Sequence, residues 1–480
     1  MHNALLYNRK SSMGTQVKQE ETIVAVSSPT GEGGVGMIRM SGIGALNILQ
    51  TMFRGPSGKP RNEFESHRVY YGFVADTTET KIDETLVVVM KSPKTYTRED
   101  VVEISCHGGI VVLRKILQAC VKLGARMAEA GEFSKRAFLN GRIDLVQAEA
   151  IIDMIKTKSD KGWRTAFSQL DGKLSKRLDN IENLLVSIIA DIEVSIDFPD
   201  EDIELANDVT VLAKLQKLSR DIDKITCTYG VGRIYRDGIS IAITGKPNVG
   251  KSSLMNALLE RDRVIVTDTP GTTRDSIEES LQIGGVAVKI VDTAGVRKAS
   301  DNAEQLGVSR ALKVAFDSDI RLIMFDGSKS LDDDDRKLAE ELYTRFAEKG
   351  SILTIINKND LPQVISDSIV SPMDKSSIIR IAAKTGDGVD LLKLAISKLI
   401  EKMGINLEDG PVLTRERHLA RMRAMTESVG RAISALKAKM SREFIAADLQ
   451  EAKESLEELT GKVVDDQVID KIFNEMCIGK

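Results

Sequence analysis

Gly245-Lys246-Pro247-Asn248-Val249-Gly250-Lys251-Ser252 fits the pattern G-x-x-x-x-G-K-[ST]. That pattern carries weight only when it follows a strand and precedes a helix. Both are expected here, a strand over Ile239 to Thr244 and a helix over Ser253 to Glu260. Glycines let backbone N–H groups wrap phosphates, Lys251 sets its charge between the outer two, and the Ser252 hydroxyl is placed to ligate magnesium. Strands and helices go on alternating to about Leu399, so residues 238–399 are expected to fold as an α/β domain, a doubly wound sheet around this loop.

Two more motifs follow in order, each at the end of a strand. Asp292-Thr293-Ala294-Gly295 follows the run Val288 to Val291, putting a carboxylate near the magnesium shell and a glycine N–H near the outermost phosphate. Asn357-Lys358-Asn359-Asp360 follows Ile352 to Ile356. Asp360 can accept from the ring N–H and exocyclic amine of guanine, and Asn357 can read the opposite edge. An unpaired buried acceptor is costly, so this motif selects GTP over ATP. A fifth element, usually Ser-Ala-Lys, is Ala382-Ala383-Lys384 here, which leaves base contacts to the backbone and the lysine stem.

Between the first two motifs lies Val266-Thr267-Asp268-Thr269-Pro270-Gly271-Thr272-Thr273-Arg274-Asp275, where GTPases carry the loop that senses the outer phosphate. Thr273 there supplies a second protein oxygen to magnesium, and Ser253 completes the nucleotide set on the helix side. Val296 stands where many GTPases put a water-orienting glutamine, so water must be activated otherwise. Asp301, Glu304 or a partner's group are candidates, and spacing alone does not choose.

At 480 residues the chain exceeds one ordinary core, and about three units are expected. With 42% hydrophobic and 29% charged residues it is globular, and a net charge of −4 argues against coating nucleic acid by bulk positive charge, though not against a local basic face. Four cysteines without a CxxC pair suggest neither zinc knuckle nor disulfide framework, and a cytoplasmic setting is expected. No apolar run nears the ~18 residues of a membrane span. Residues 1–20 lack a secretory apolar stretch and read as an extension before a start-like Met13.

Residues 21–133 mix strand-like runs (Thr22 to Ser27, Val35 to Met40, Thr85 to Met90, Val101 to Ser105) with helical ones such as Ile110 to Leu123, an α+β domain. Residues 134–237 turn helical, Leu174, Leu178, Ile181, Leu185, Ile188 and Ile192 recurring at threes and fours. That helix is expected to stop at Asp197-Phe198-Pro199, before a solvated acidic connector of Asp200, Glu201, Asp202 and Glu204. In residues 400–480 the period returns with Leu419, Met422, Met425, Val429, Ile433, Leu436 and Met440, read as core packing. One helical domain interrupted by an inserted α/β domain is the simplest organisation.

Further stretches carry a resemblance: Gly33-Gly34-Val35-Gly36-Met37-Ile38-Arg39-Met40-Ser41-Gly42, Cys106-His107-Gly108-Gly109, Gly131-Glu132-Phe133-Ser134-Lys135-Arg136-Ala137-Phe138-Leu139-Asn140, Asp197-Phe198-Pro199, the loop Thr267 to Asp275 and the terminal Cys477-Ile478-Gly479-Lys480. Together they make the chain, from about Glu21 to Lys480, similar to the tRNA modification GTPases of the MnmE (TrmE) family. The resemblance implies an N-terminal α+β folate-binding domain through which the chain forms a homodimer, a discontinuous helical domain and an inserted Ras-like G domain. It implies binding of 5-formyl-tetrahydrofolate or a related tetrahydrofolate by Arg39, Glu103, Arg142 and Lys480; arginines suit the carboxylated tail and a glutamate the donor-rich pterin edge.

The same resemblance implies potassium in place of an arginine finger, held by the Asn248 side chain and by oxygens of Thr267, Thr269 and Thr272. Thr269 departs from the usual isoleucine, which a carbonyl ligand tolerates. It assigns the catalytic acid to Glu304, acting on water through a bridging water, and makes Arg274 and Asp275 coupling residues. It implies an FAD-carrying partner of the MnmG (GidA) type in a heterotetramer or larger assembly, acting on carbon five of the wobble uridine of certain tRNAs to install an aminomethyl or carboxymethylaminomethyl group. Cys477 is either an active-site thiol or a buried structural one, and His107 is expected to be a turn histidine satisfied by backbone. A GTP-dependent RNA-binding or ribosome-assembly switch is the alternative, but it accounts for residues 238–399 only. A folate enzyme with a vestigial G domain is weakened by the intact nucleotide motifs.

Overall fold

The structure, a computed structural model, describes residues 21–29, 31–197, 207–262, 280–292, 318–346, 351–365, 378–403 and 410–480. They fall into two compact units, one holding the described residues up to Ile152 together with Glu457–Lys480, the other the described residues from Asp153 to Leu456. Residues 457–480 pack in the N-terminal unit, for reasons given by the site below.

The first unit is built on a seven-stranded sheet of β1 (Ile23–Val26), β2 (Gly36–Ser41), β3 (Phe53–Arg54), β4 (Arg68–Ala75), β5 (Lys81–Met90), β6 (Val101–Cys106) and β7 (Arg126–Met127). Their order is β3-β4-β5-β6-β2-β1-β7, with β7 the one parallel neighbour. Alternation along β2 and β6 sends Ile38, Met40, Val102 and Ile104 into a core covered by helices Ala45–Met52 and Ile110–Lys122. On the other face Arg39 stands directly opposite Glu103. β4 is not among the strand-like runs that the sequence pattern marks. Gly72 breaks the run there because β3 crosses close by: a Cβ would sit 2.2 Å from the Arg54 carbonyl oxygen.

The second unit holds helices Lys173–Asp197, Asp208–Thr226 and Glu416–Lys437, packed in sequence on one another, and a six-stranded sheet. The stripe from Leu174 to Ile192 is buried as expected. In Glu416–Lys437, Leu419, Met422, Met425, Val429 and Leu436 are buried and Ile433 partly so, but Met440 lies beyond the helix end and is exposed. The acidic connector after Asp197 lies outside the described residues.

The sheet order is β13 (Ile378–Arg380), β12 (Ile352–Asn357), β11 (Ile320–Asp326), β8 (Ile239–Thr244), β10 (Val286–Asp292), β9 (Ser280–Ile283), parallel except for β9. After β8 the chain adds β10 on one side and then β11 on the other. The carboxyl end of β8 is therefore a point where the winding reverses, which is where such sheets place ligands. Among the described residues no helix is long and apolar enough to cross a membrane.

Candidate nucleotide and folate sites

The loop from Gly245 to Gly250 leaves β8 and enters helix Lys251–Asp262, so its N–H groups gather at a helix N-terminus. Its glycines are demanded by space as well as by rotation. Gly245 and Gly250 hold φ of +150° and +104°, and a Cβ would lie 2.4 Å from the Met324 carbonyl oxygen or 2.2 Å from the Asn357 amide nitrogen. Asn248, exposed at φ +64°, takes a left-handed conformation that asparagine tolerates. Val249 is buried and anchors the loop, while Ser252 and Ser253 are exposed on the first helical turn. The Lys251 ammonium donates to the carbonyls of Gly245 at 2.8 Å and Lys246 at 2.7 Å, lying across the loop it is meant to charge.

The neighbouring strands bring their motifs to the same edge. β10 ends on Asp292, in register with Ile243. β12 ends on Asn357, whose side chain is almost fully buried; it donates to the Val249 carbonyl at 2.7 Å and accepts from the Ala383 N–H at 2.9 Å. The amide thus ties the phosphate loop to the Ala382-Ala383-Lys384 loop, and its nitrogen carries a second hydrogen, so the tie is compatible with the expected contact to the base edge. Asp360 and Lys384 remain exposed at that end. Lys358, at φ +65°, sets its ammonium 2.6 Å from Asp326. Burial raises the Asp326 carboxyl, but Lys358 and Ser328 outweigh it and hold it below the ordinary range. Asp326 belongs to no motif and was missed in the sequence. Lys246 pairs with Asp332, with Asp335 at 3.6 Å and Asp334 at 3.8 Å; its hydrogen bond leads in holding the Asp332 carboxyl at about 2.

Thr267, Asp268, Thr269, Pro270, Gly271, Thr272, Thr273, Arg274, Asp275, Thr293, Ala294, Gly295, Asp301 and Glu304 lie outside the described residues.

The second site lies in the N-terminal unit. Arg39 donates to Glu103 at 2.8 Å and to the Gly479 carbonyl at 3.1 Å. Its guanidinium carbon lies 5.8 Å from the rings of both Tyr96 and Phe133, and that of Arg142 lies 4.8 Å from the Tyr96 ring. Tyr96 thus joins the two arginines; it was not singled out in the sequence because nothing in the motif stretches contains it. Burial pushes its hydroxyl pKa up, against Ser134 and the two arginines. Lys480 follows directly, its N–H donating to the Cys477 carbonyl at 3.2 Å. Arg39, Glu103, Arg142 and the tail that carries Lys480 are therefore brought together. The donor set fits a folate: guanidinium groups for carboxylates, a carboxylate for pterin N–H groups, and an aromatic ring between them.

The tail is seated by close backbone approach. Ile478 bridges to Ala130, Gly479 accepts from the Ser27 hydroxyl at 3.2 Å, and at its φ of +98° a Cβ would lie 2.5 Å from the Val26 carbonyl oxygen. At Gly131, with φ +64°, a Cβ would lie 2.3 Å from the Phe473 carbonyl oxygen. Cys477 is exposed, which removes the buried structural reading of that thiol. Cys106 and Cys120 are the buried ones, and burial pushes their thiols up to about 11 and about 12. His107 departs from expectation: its ring is exposed and pairs with Asp83 at 2.8 Å rather than with backbone, and that hydrogen bond leads in raising its pKa.

Residues 22–142 match the family model described as GTP-binding protein TrmE N-terminus, and residues 145–477 match that of the MnmE helical domain. The tRNA modification GTPase MnmE of Alkaliphilus oremlandii is 41% identical over 464 residues, covering 96% of this chain and 99% of that protein. Its counterpart in Clostridioides difficile is 41% identical over 462 residues, covering 96% and 99%. That of Streptococcus pneumoniae is 41% identical over 466 residues, again covering 96% and 99%.

Proposed function

The chain belongs to the MnmE family of tRNA modification GTPases, and from that membership we propose that it couples GTP hydrolysis to modification of carbon five of the wobble uridine of certain tRNAs. It does so as a cytoplasmic homodimer, with an FAD-dependent MnmG (GidA)-type partner and a tetrahydrofolate one-carbon donor, leaving an aminomethyl or carboxymethylaminomethyl group. In the G domain the loop N–H groups and Lys251 hold the phosphates, Asp360 reads guanine, and Asn357 fixes the two loops on either side of the nucleotide. Ser252 and Thr273 would ligate magnesium; Asn248, Thr267, Thr269 and Thr272 would hold potassium, which supplies positive charge where the transition state gathers negative charge. Glu304 orients the attacking water. In the N-terminal unit Arg39 and Arg142 bind folate carboxylates, Glu103 accepts from the pterin and Lys480 closes the pocket.

The observation that carries this reading is the Gly479 carbonyl held by Arg39. A GTP switch that only binds RNA has no use for a part-buried Arg-Glu pair capped by the Gly479 carbonyl. The test is mass spectrometry of tRNA nucleosides after incubating the chain with the flavoprotein, GTP, potassium, a tetrahydrofolate donor and undermodified tRNA. A new aminomethyl-type wobble uridine, lost when Lys480 is removed, is expected. GTP hydrolysis with the uridine untouched, beside an active partner, would overturn it in favour of the RNA switch.

A further inference from the structure

The one tryptophan of the chain is spent on the surface. Trp163 and Phe167, one turn apart on helix Asp160–Leu170, are 48% and 50% exposed, with ring centroids 5.8 Å apart and planes within 20° of parallel. Single exposed apolar residues are ordinary, but a stacked aromatic pair held open to water is not. The helix beneath is firmly placed. Its opposite face buries Gly162, Ala166 and Gln169, and a Cβ on Gly162 would lie 2.6 Å from the Tyr235 carbonyl oxygen. Its first turn is capped by Ser159, which accepts from Gly162 N–H, and by Gly285, whose carbonyl accepts from Lys161 N–H. The rings are thus presented on a rigid support, with little ordering left for a ligand to impose.

The charge around the pair is opposite to that of the whole chain. Residues 156–176 carry six lysines and arginines against two acids, in a protein of net charge −4. Arg164 lies exposed between the two rings in sequence, and Lys156, Lys158 and Lys173 are exposed at the helix's two ends. Flat aromatic faces stack on unpaired bases, and flanking cations track the backbone phosphates; together they are the chemistry of a single-stranded nucleic-acid platform. A protein partner would use the rings as anchors but has no need of an excess of positive charge at both ends, where the cations outnumber the single acids Asp160 and Asp171.

We propose that Trp163 and Phe167, with Arg164 and the flanking lysines, form a stacking platform for unpaired nucleotides of RNA, the tRNA on which the proposed function acts. The inference rests on that function and gives it a place on the helical part of the chain. It also supplies its own probe, because Trp163 is the only tryptophan.

The experiment records tryptophan fluorescence of the full-length chain while an unmodified tRNA transcript, or oligouridylate, is added, and measures tRNA affinity by filter binding. Stacking on Trp163 is expected to quench its emission, less so as salt rises. The double variant W163A/F167A is expected to bind the transcript about tenfold or more weakly, with an unchanged thermal midpoint, since each stacked base contributes of that order. R164E, which leaves the rings in place, is expected to weaken binding several-fold, mostly at low salt. Transcript binding without quenching and with equal affinity for the double variant overturns the platform while leaving the proposed function intact. Loss of self-association or flavoprotein binding in that variant, with tRNA affinity unchanged, overturns it in favour of a protein interface. An unaltered chain that binds no tRNA, alone or with the flavoprotein, overturns both.

Discussion

Asn357 shows at the scale of one residue how a motif position can carry more than the contact its spacing suggests. An amide is donor and acceptor at once, so the same side chain suits a base edge or two backbone groups. The structure uses it for the Val249 carbonyl, 108 positions away, and for the Ala383 N–H. N357A is expected to leave both unpaired in a buried place, costing about 2–4 kcal/mol locally. GTP affinity, read by titration with a fluorescent guanine nucleotide, should fall at least tenfold; an unchanged affinity would mean that the tie between the loops is dispensable. The phosphate loop was legible because its glycines and lysine act at fixed spacing within eight residues. Asp326, Tyr96 and the His107–Asp83 pair were not, because each depends on a neighbour supplied by another strand or loop.

Elements were legible where burial imposes a clean period. The strand Ile239–Thr244 is a short apolar run buried on both faces between two neighbours, and the stripe of Lys173–Asp197 buries one helical face continuously, so both match what the apolar pattern predicts. β4 was hidden by Gly72, a residue chosen for the passage of β3, and Met440 continued the helical spacing past the point where the helix ends. Least legible was the tail, since four residues carry no period. Its seat is backbone geometry at Gly479, which a side chain would disrupt in two ways, by positive φ and by collision with the Val26 carbonyl. G479A is therefore expected to lift the tail off β1 and release Arg39 from its carbonyl partner. Folate affinity by calorimetry should drop about tenfold or more with nucleotide affinity unchanged. Retention of full folate affinity would remove the tail from the pocket.

At the scale of the whole molecule, a chain end joins a chain beginning, and a buried charge network stabilises the unit they form. Arg136, 2% exposed, pairs with Glu132 at 3.0 Å and Glu99 at 3.2 Å, and Arg126 pairs with Glu132 and with Glu21, each at 2.6 Å. These residues come from the first strand's approach, the loop before β6, β7 and helix Glu132–Leu139, so the network crosses the unit rather than one element. Burial alone would raise the Glu132 carboxyl, but Arg126, the Glu129 N–H and Arg136 outweigh it and lower its pKa. A lowered folded value means that the stabilisation is fully present above the unfolded pKa of about 4.3 and is lost as pH falls through the folded value. The N-terminal unit should therefore melt at steadily lower temperature as pH drops from about 5 to about 3, and calorimetry should show its transition moving in that window. E132A breaks the network by leaving Arg136 and Arg126 short of a partner, at a cost of about 3 kcal/mol near neutral pH. It should also flatten the acid dependence of that transition; a transition whose slope with pH is the same in the variant would show that Glu132 does not carry it.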